Sequence, residues 1–320
     1  MQKSTEELTR CSTGTLAEVV VENNSDKHTT TQTVRRKIMG VCKKLTHWVV
    51  LMDLLFLASL AITLGVLEFG AIPYKQLGFF CNDPKISFKF TGDTISMALL
   101  LISVFTIPLI VIWIVEYTCY SDDNYENNLD YNGSRSKYVW TWYRQYVVVS
   151  IVLCVVCECL KILIGEPRPH FLDTCRPREA VNCTNEYFHS YTCTNTVNSA
   201  YFVMDASRSF PSGHAATSVC MSIFLVWYLQ NRLRTRMMYF KPWLQCLMCV
   251  WAVVCSATRV SDNRHHWWDV AAGVVLGIMF STFLVVICQY FRVNSTNDVI
   301  VGMKKVANEA DNRQINFAEK

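Results

Sequence analysis

Charge is what this sequence has little of: 18% of its 320 residues are Asp, Glu, Lys or Arg, where ordinary globular domains carry roughly 25%. With 51% hydrophobic residues alongside, the shortage excludes disordered, collagen-like and small disulfide-scaffold chains. Charge of one sign is also scarce. A formal net charge of +4 is too slight and too scattered to imply a nucleic-acid partner. The first 46 residues hold no apolar stretch that would serve as a signal peptide. Fifteen cysteines suggest a disulfide framework only until they are placed, because most fall inside apolar segments.

Those segments are what the sequence does have. Apolar blocks run over 48–67, 95–115, 146–165, 215–229, 243–258 and 270–291, and about 20 residues suffice to cross a bilayer. Pro108 inside the second block is tolerable in a membrane helix, which can kink there. The pattern predicts an all-α polytopic membrane protein with six transmembrane helices: a flexible cytoplasmic tail over 1–46, a membrane domain over 47–292 and a cytoplasmic tail over 293–320. Thirteen Lys and Arg flank the side that holds both tails, and ten flank the other. The bias puts both termini in the cytoplasm. The fourth and fifth blocks look too short to span, so the polar residues at their outer ends, Arg208 to His214 and Thr258-Arg259, are expected at outer-leaflet depth, where ionisable groups mark function.

Three clusters face that outer side: Lys161-x6-Arg168-Pro169, Pro211-Ser212-Gly213-His214 and Thr258-Arg259-x5-His265-x3-Asp269. A phosphate monoester carries close to two negative charges, and its transfer needs positioned cations and donors more than covalent machinery. Lys161, Arg168 and Arg259 supply the charge. Ser212 and Gly213 stand where the fourth helix begins, so backbone N–H groups, the dipole end and a hydroxyl can hold phosphoryl oxygens. His265 and Asp269, four residues apart at the start of the sixth helix, read as an imidazole oriented by a carboxylate, and hence as a nucleophile. His214 would protonate the departing alkoxide and later activate water. His266 lies three residues from Asp269 and shares its face, so the residues alone leave two candidates for the nucleophile.

The sequence here resembles the type 2 phosphatidic acid phosphatase (PAP2) family, whose motifs read K-x6-R-P, P-S-G-H and S-R-x5-H-x3-D; the one departure is Thr258, which keeps the hydroxyl. Gly78-Phe-Phe-Cys-Asn-Asp83, Arg168-Pro-His-Phe-Leu172 and His265-His266 look like the animal lipid phosphate phosphatases, including the Wunen-type proteins. The resemblance spans roughly residues 45 to 292. It implies a membrane enzyme that removes phosphate from phosphatidic, lysophosphatidic, ceramide or sphingoid-base phosphates through a phosphohistidine on His265. Asp269 would orient that histidine, and His214 would act as acid and then base. No cofactor and no metal are expected, since the outer motifs offer no carboxylate cluster. The alternatives are a phosphatase of soluble or isoprenyl phosphates, or a non-catalytic membrane scaffold. Partners are the lipid phosphate itself and no nucleic acid; a homo-oligomer is left open. The plasma membrane with an extracellular site, or a luminal site in the ER or Golgi, is the expected location.

The remaining polar residues take plainer readings. Asp53 and Glu158 are expected to hydrogen-bond between helices, and Cys154-x2-Cys157-x-Cys159 to be packing rather than a metal site. Cys81, Cys175, Cys183 and Cys193 share the outer side, where their four thiols permit three connectivities. Of the sequons at Asn23, Asn132, Asn182 and Asn294, only Asn182 falls outside the cytoplasm and can carry a glycan.

Overall fold

The computed structural model describes residues 48, 51–69, 73, 75–118, 131–181 and 183–290, apart from 53 and 185, with the side chains of 131–135 and 137 left out. Residues 59–286 form one compact unit, which carries everything below; residues 1–58 and 287–320 form a second, whose described part is helical. Asp53, Asn182 and the two tails expected in the cytoplasm lie outside the described residues.

Eight helices are described: α1 (Leu54–Glu68), α2 (Met97–Thr118), α3 (Tyr131–Ile164), α4 (Phe171–Cys175), α5 (Ala200–Asp205), α6 (Gly213–Arg232), α7 (Phe240–Ser261) and α8 (Trp267–Tyr290). Among the described residues, four stretches are long and apolar enough to cross a membrane: α2, Tyr138–Ile164 of α3, α7 and α8. The protein is thus a mostly helical, multi-pass membrane protein. Pro108 sits inside α2, which runs through it. The expectation of an all-α chain needs one addition, a two-residue antiparallel ladder between β1 (Phe79–Phe80) and β2 (Tyr187–Phe188).

The fourth and fifth blocks are not short helices. α6 has 20 residues and α7 has 22, each long enough for the roughly 30 Å of hydrocarbon at 1.5 Å per residue. Their apolar blocks looked short because polar residues occupy turns within or at the ends of the helices. α6 shows why this is tolerated. It touches α2, α3 and α7, and Thr217, Ser218 and Ser222 are buried along it, so protein rather than lipid meets those hydroxyls. Ser222 donates to the Met248 carbonyl of α7 at 2.7 Å. The outer helices instead expose large apolar side chains, among them Ile102, Trp113, Val253, Met279 and Phe283, as lipid requires.

Two features hold the site end together. Gly273 and Gly277 of α8 face α6 so closely that a Cβ on Gly273 would meet the Ser212 carbonyl at 2.5 Å, and one on Gly277 the Ala216 carbonyl at 2.6 Å. Small residues four apart let helix backbones approach in this way, and Ser212 N–H donates to the Asp269 carbonyl at 3.0 Å. The starts of α6 and α8 are therefore adjacent. Above them the loops form a cap, tied by disulfides Cys81–Cys183 and Cys175–Cys193, one of the three connectivities open from the sequence. Phe79, Phe171 and Tyr191 pack together with Cys175, Tyr191 edge-on to both phenylalanines. At the opposite end, Arg232 meets both oxygens of Glu116 at 2.8 and 2.9 Å, and Tyr228 donates to the same carboxylate at 2.9 Å.

Candidate active site

Each cluster read from the sequence sits where a helix starts or stops. α3 ends at Ile164, and Gly165 follows with φ +65° in the left-handed region glycine tolerates. A side chain there would run into the Lys75 carbonyl. The turn brings Arg168 inward, where Nε donates to the Asp205 carbonyl at 2.8 Å, Nη2 to Asp205 Oδ1 at 2.7 Å and Nη1 to the Arg264 carbonyl at 3.1 Å. Lys161, one turn before the end of α3, is buried and pairs with Glu158 at 2.5 Å. Glu158 therefore serves the site lysine within its own helix and also meets Glu68 of α1, in keeping with the interhelical role expected of it.

α6 begins without a cap. Ser212 occupies the N-cap position, makes no side-chain capping bond, and buries a hydroxyl with no partner. Among the described residues the N–H groups of Gly213, His214 and Ala215 meet no acceptor. A helix start left this way is an anion site, and a Cβ on Gly213 would meet nothing within 4 Å, so there is room beside it. His214 points Nε2 at Arg259 Nη1, 3.4 Å away. Arg259 in turn reaches Asp93 and Asp262 at 3.0 Å each and the Ile95 carbonyl at 2.9 Å.

His265 stands two residues ahead of α8, not on its first turn as expected, and its Nδ1 lies 3.7 Å from Asp269 Oδ2, beyond hydrogen-bond reach. Ser209 fills the gap. Its hydroxyl donates to Asp269 Oδ2 at 2.5 Å and stands 3.4 Å from His265 Nδ1, so Nδ1–H can donate to Ser209 and, through it, feel the carboxylate. The other nitrogen, Nε2, faces Arg168 Nη1 at 3.3 Å. A lone pair opposite a cation is the neutral imidazole. Burial and then Arg168 push the His265 pKa down to about 3, which keeps that lone pair available at neutral pH.

The neighbouring His266 is placed otherwise. Its Nδ1 lies 3.3 Å from Asp269 Oδ2 and its Nε2 3.3 Å from the Lys85 carbonyl, so both nitrogens face acceptors. Its backbone N–H also donates to Asp269 Oδ2 at 2.9 Å, the reciprocal half of a capping box at the start of α8. Asp269 thus caps a helix as well as facing two imidazoles.

All three clusters lie within residues 142–303, the stretch matched by the family model described as PAP2 superfamily. The chain belongs to that superfamily. It is similar to phospholipid phosphatase 2 of Bos taurus, 30% identical over 254 residues, which cover 77% of this chain and 85% of the relative. It is also similar to phospholipid phosphatase 2 of Rattus norvegicus, 31% identical over 75% of this chain and 86% of the relative. Phospholipid phosphatase homolog 1.2 homolog of Caenorhabditis elegans is 30% identical over 69% of this chain and 67% of the relative. No solved structure matches.

Several residues of this PAP2 site carry no motif: Asp93, Asp205 and Arg264 were missed in the sequence, their only signal being proximity in space, and Ser209 entered only as part of the polar run Arg208 to His214. Glu166 is another without a motif. With His266 and Asp269 it forms the one trio among the described residues whose donor atoms, all within 4.8 Å of one another, could hold a metal ion. The expectation that the outer side offers no carboxylate cluster is corrected to that extent. Glu166 Oε1 already accepts the Trp268 indole N–H at 2.9 Å, while Asp269 Oδ2 is taken up as described. The cysteines 154, 157 and 159 form no such group, and Cys157 packs against Leu153, Ala216 and Cys220.

Proposed function

We propose that the chain is an integral membrane lipid phosphate phosphatase that acts through a phosphohistidine on His265. One observation carries the reading: a neutral, buried imidazole holds a lone pair toward a guanidinium beside an uncapped helix start, at the end of a bundle of apolar helices. The phosphoryl oxygens are held by Arg168, Arg259, Lys161, the Ser212 hydroxyl and the N–H groups from Gly213 onward. Nε2 of His265 attacks phosphorus; the P–N bond forms as the P–O bond to the lipid breaks, and the alkoxide takes a proton from His214. The substrate's dianion, drawn against Arg259, offsets the cation that faces His214 and favours the protonated imidazole there. In the second half His214 accepts a proton from water, the water oxygen bonds to phosphorus as the P–N bond breaks and its electron pair returns to Nε2 of His265, and inorganic phosphate leaves. The names of the relatives, phospholipid phosphatases, support the substrate class. So do Leu163 and Trp267, exposed large apolar side chains at the site end, beside which a lipid's tails would lie.

Phosphate release from micellar phosphatidic, lysophosphatidic, ceramide and sphingoid-base phosphates, set against glycerol phosphate and an isoprenyl diphosphate, tests the reading. The lipid monoesters are expected to turn over fastest, at a rate that excess EDTA leaves unchanged, because the cations come from Lys161 and the arginines. Loss of activity in EDTA that Mg²⁺ restores would place a metal in the mechanism, with Glu166, His266 and Asp269 as its holders. No release from any substrate would leave a scaffold.

The site faces outward in this reading, with six spans, both termini in the cytoplasm and residence in the plasma membrane. The disulfides at the site end support an oxidising compartment on that side. A glycan is accordingly expected on Asn182 alone: glycosidase treatment lowers the apparent mass, and Asn182→Gln removes the shift. A glycan on Asn23 or Asn294 would turn the protein over and put the site in the cytoplasm.

A further inference from the structure

The arginines that face the two imidazoles are not independent. Asp205 takes Arg168 Nη2 on Oδ1 at 2.7 Å and Arg264 Nη2 on Oδ2 at 3.3 Å. Asp93 Oδ1 takes Arg259 Nη1 at 3.0 Å and Arg264 Nε at 3.1 Å. The result is one row of alternating charge, Arg168, Asp205, Arg264, Asp93, Arg259, in which the middle member links the first cluster of the sequence to the third. We propose that Arg264 is a positioning residue of the phosphate site, holding Asp205 and Asp93 so that Arg168 and Arg259 stay set for the phosphoryl group; the inference rests on the reading of this site as a phosphate site.

Three observations support a role through others and not direct contact with substrate. Both terminal nitrogens of Arg264 are committed, Nη2 to Asp205 and Nη1 to His170 Nε2 at 3.3 Å, while Nε stands against Asp93 as an ion pair without a hydrogen bond. Two rings stand beside it, Phe90 at 5.4 Å and Phe202 at 5.3 Å from the guanidinium carbon. His170 is itself fixed, its Nδ1 2.7 Å from the Thr174 hydroxyl and its ring stacked on Phe202. Burial, and then Arg168 and Arg264, push His170 down to about 3, which leaves Nε2 free to accept from Arg264. Without Arg264, two largely buried carboxylate oxygens lose a cation and turn onto Arg168 and Arg259, taking N–H groups that a phosphoryl oxygen would use. Lysine is no substitute, since the three donors of an ammonium diverge from a single atom and cannot span partners that the planar guanidinium reaches from separate nitrogens.

Orthovanadate is the probe, bound to the detergent-purified full chain and followed by calorimetry together with kcat and KM on phosphatidic acid. Arg264→Gln is expected to weaken vanadate binding and to lower kcat/KM by about 100-fold each, the scale at which a small misplacement of a binding group is felt. Added to Arg168→Ala, it should cost much less than it does alone, the remainder being the part that acts through Arg259. Vanadate affinity that stays at the wild-type value, or losses that multiply fully in the double variant, would overturn the proposal. If Arg264→Gln does not fold, Arg264→Lys decides. Weakened vanadate binding at an unchanged melting temperature supports bridging, and wild-type binding refutes it. A wild type that binds vanadate yet releases phosphate from no lipid would sink the substrate reading and leave the inference to be judged on binding alone.

Discussion

Replacing His265 by alanine is expected to take phosphate release to background, a loss on the order of 10⁶-fold, since removing a covalent nucleophile leaves only binding and charge stabilisation. His266→Ala should cost no more than about 10²-fold, the price of a displaced neighbour rather than of a lost bond to phosphorus. The spacing from Arg259 favours His265 only through resemblance. The structure adds a chemical reason: a nucleophile needs a lone pair aimed at the phosphoryl group, and Nε2 of His265 faces Arg168 while both nitrogens of His266 face acceptors. Single-turnover labelling with radioactive phosphate, followed by acid and base treatment to identify an acid-labile P–N bond, checks the assignment. A labelled His265→Ala protein and an unlabelled His266→Ala protein would reverse it.

The second large effect belongs to His214, and it should depend on the leaving group. A lipid alkoxide needs a proton as it departs, whereas p-nitrophenolate leaves unaided, and general acid catalysis contributes about 10²- to 10⁴-fold. His214→Ala should therefore slow phosphoenzyme formation from phosphatidic acid by about 10³-fold while sparing much of the reaction with the aryl phosphate. The labelled enzyme that does form should persist, because the base that activates water is gone. Rapid-quench labelling with both substrates reads this directly. Equal slowing would remove His214 from proton transfer and leave it as a phosphate ligand beside Arg259.

The side chains proposed to react were legible because their relations are local: a fixed spacing from Arg259 to His265 to Asp269 survives in a string of letters. Their supports were not legible, because Asp93 lies 166 residues before Arg259, and Arg168 is 37 from Asp205 and 97 from His265. No periodicity connects such positions; only the folded loops do. The direct His265–Asp269 bond failed for a related reason, since four-residue spacing predicts a shared helix face only if both residues are helical, and His265 precedes α8. α6 misled by hydropathy. A helix surrounded by protein can carry hydroxyls that a lipid-facing one cannot, so its apolar block stopped short of its true ends. The cysteine pairing needed the cap, where β1 and β2 bring Cys81 toward Cys183.

The family model begins at residue 142, yet the loop and helix before it belong to the same machine. Asp93 and the Ile95 carbonyl neutralise and orient Arg259, Cys81 anchors one disulfide, and Glu116 answers Arg232 at the far end. A fragment cut at that boundary would keep every motif and strand three of its partners. The motifs are therefore not a cassette that can be excised or grafted: the folded site needs both the motif-bearing stretch and the motif-free segment that carries its counter-charges.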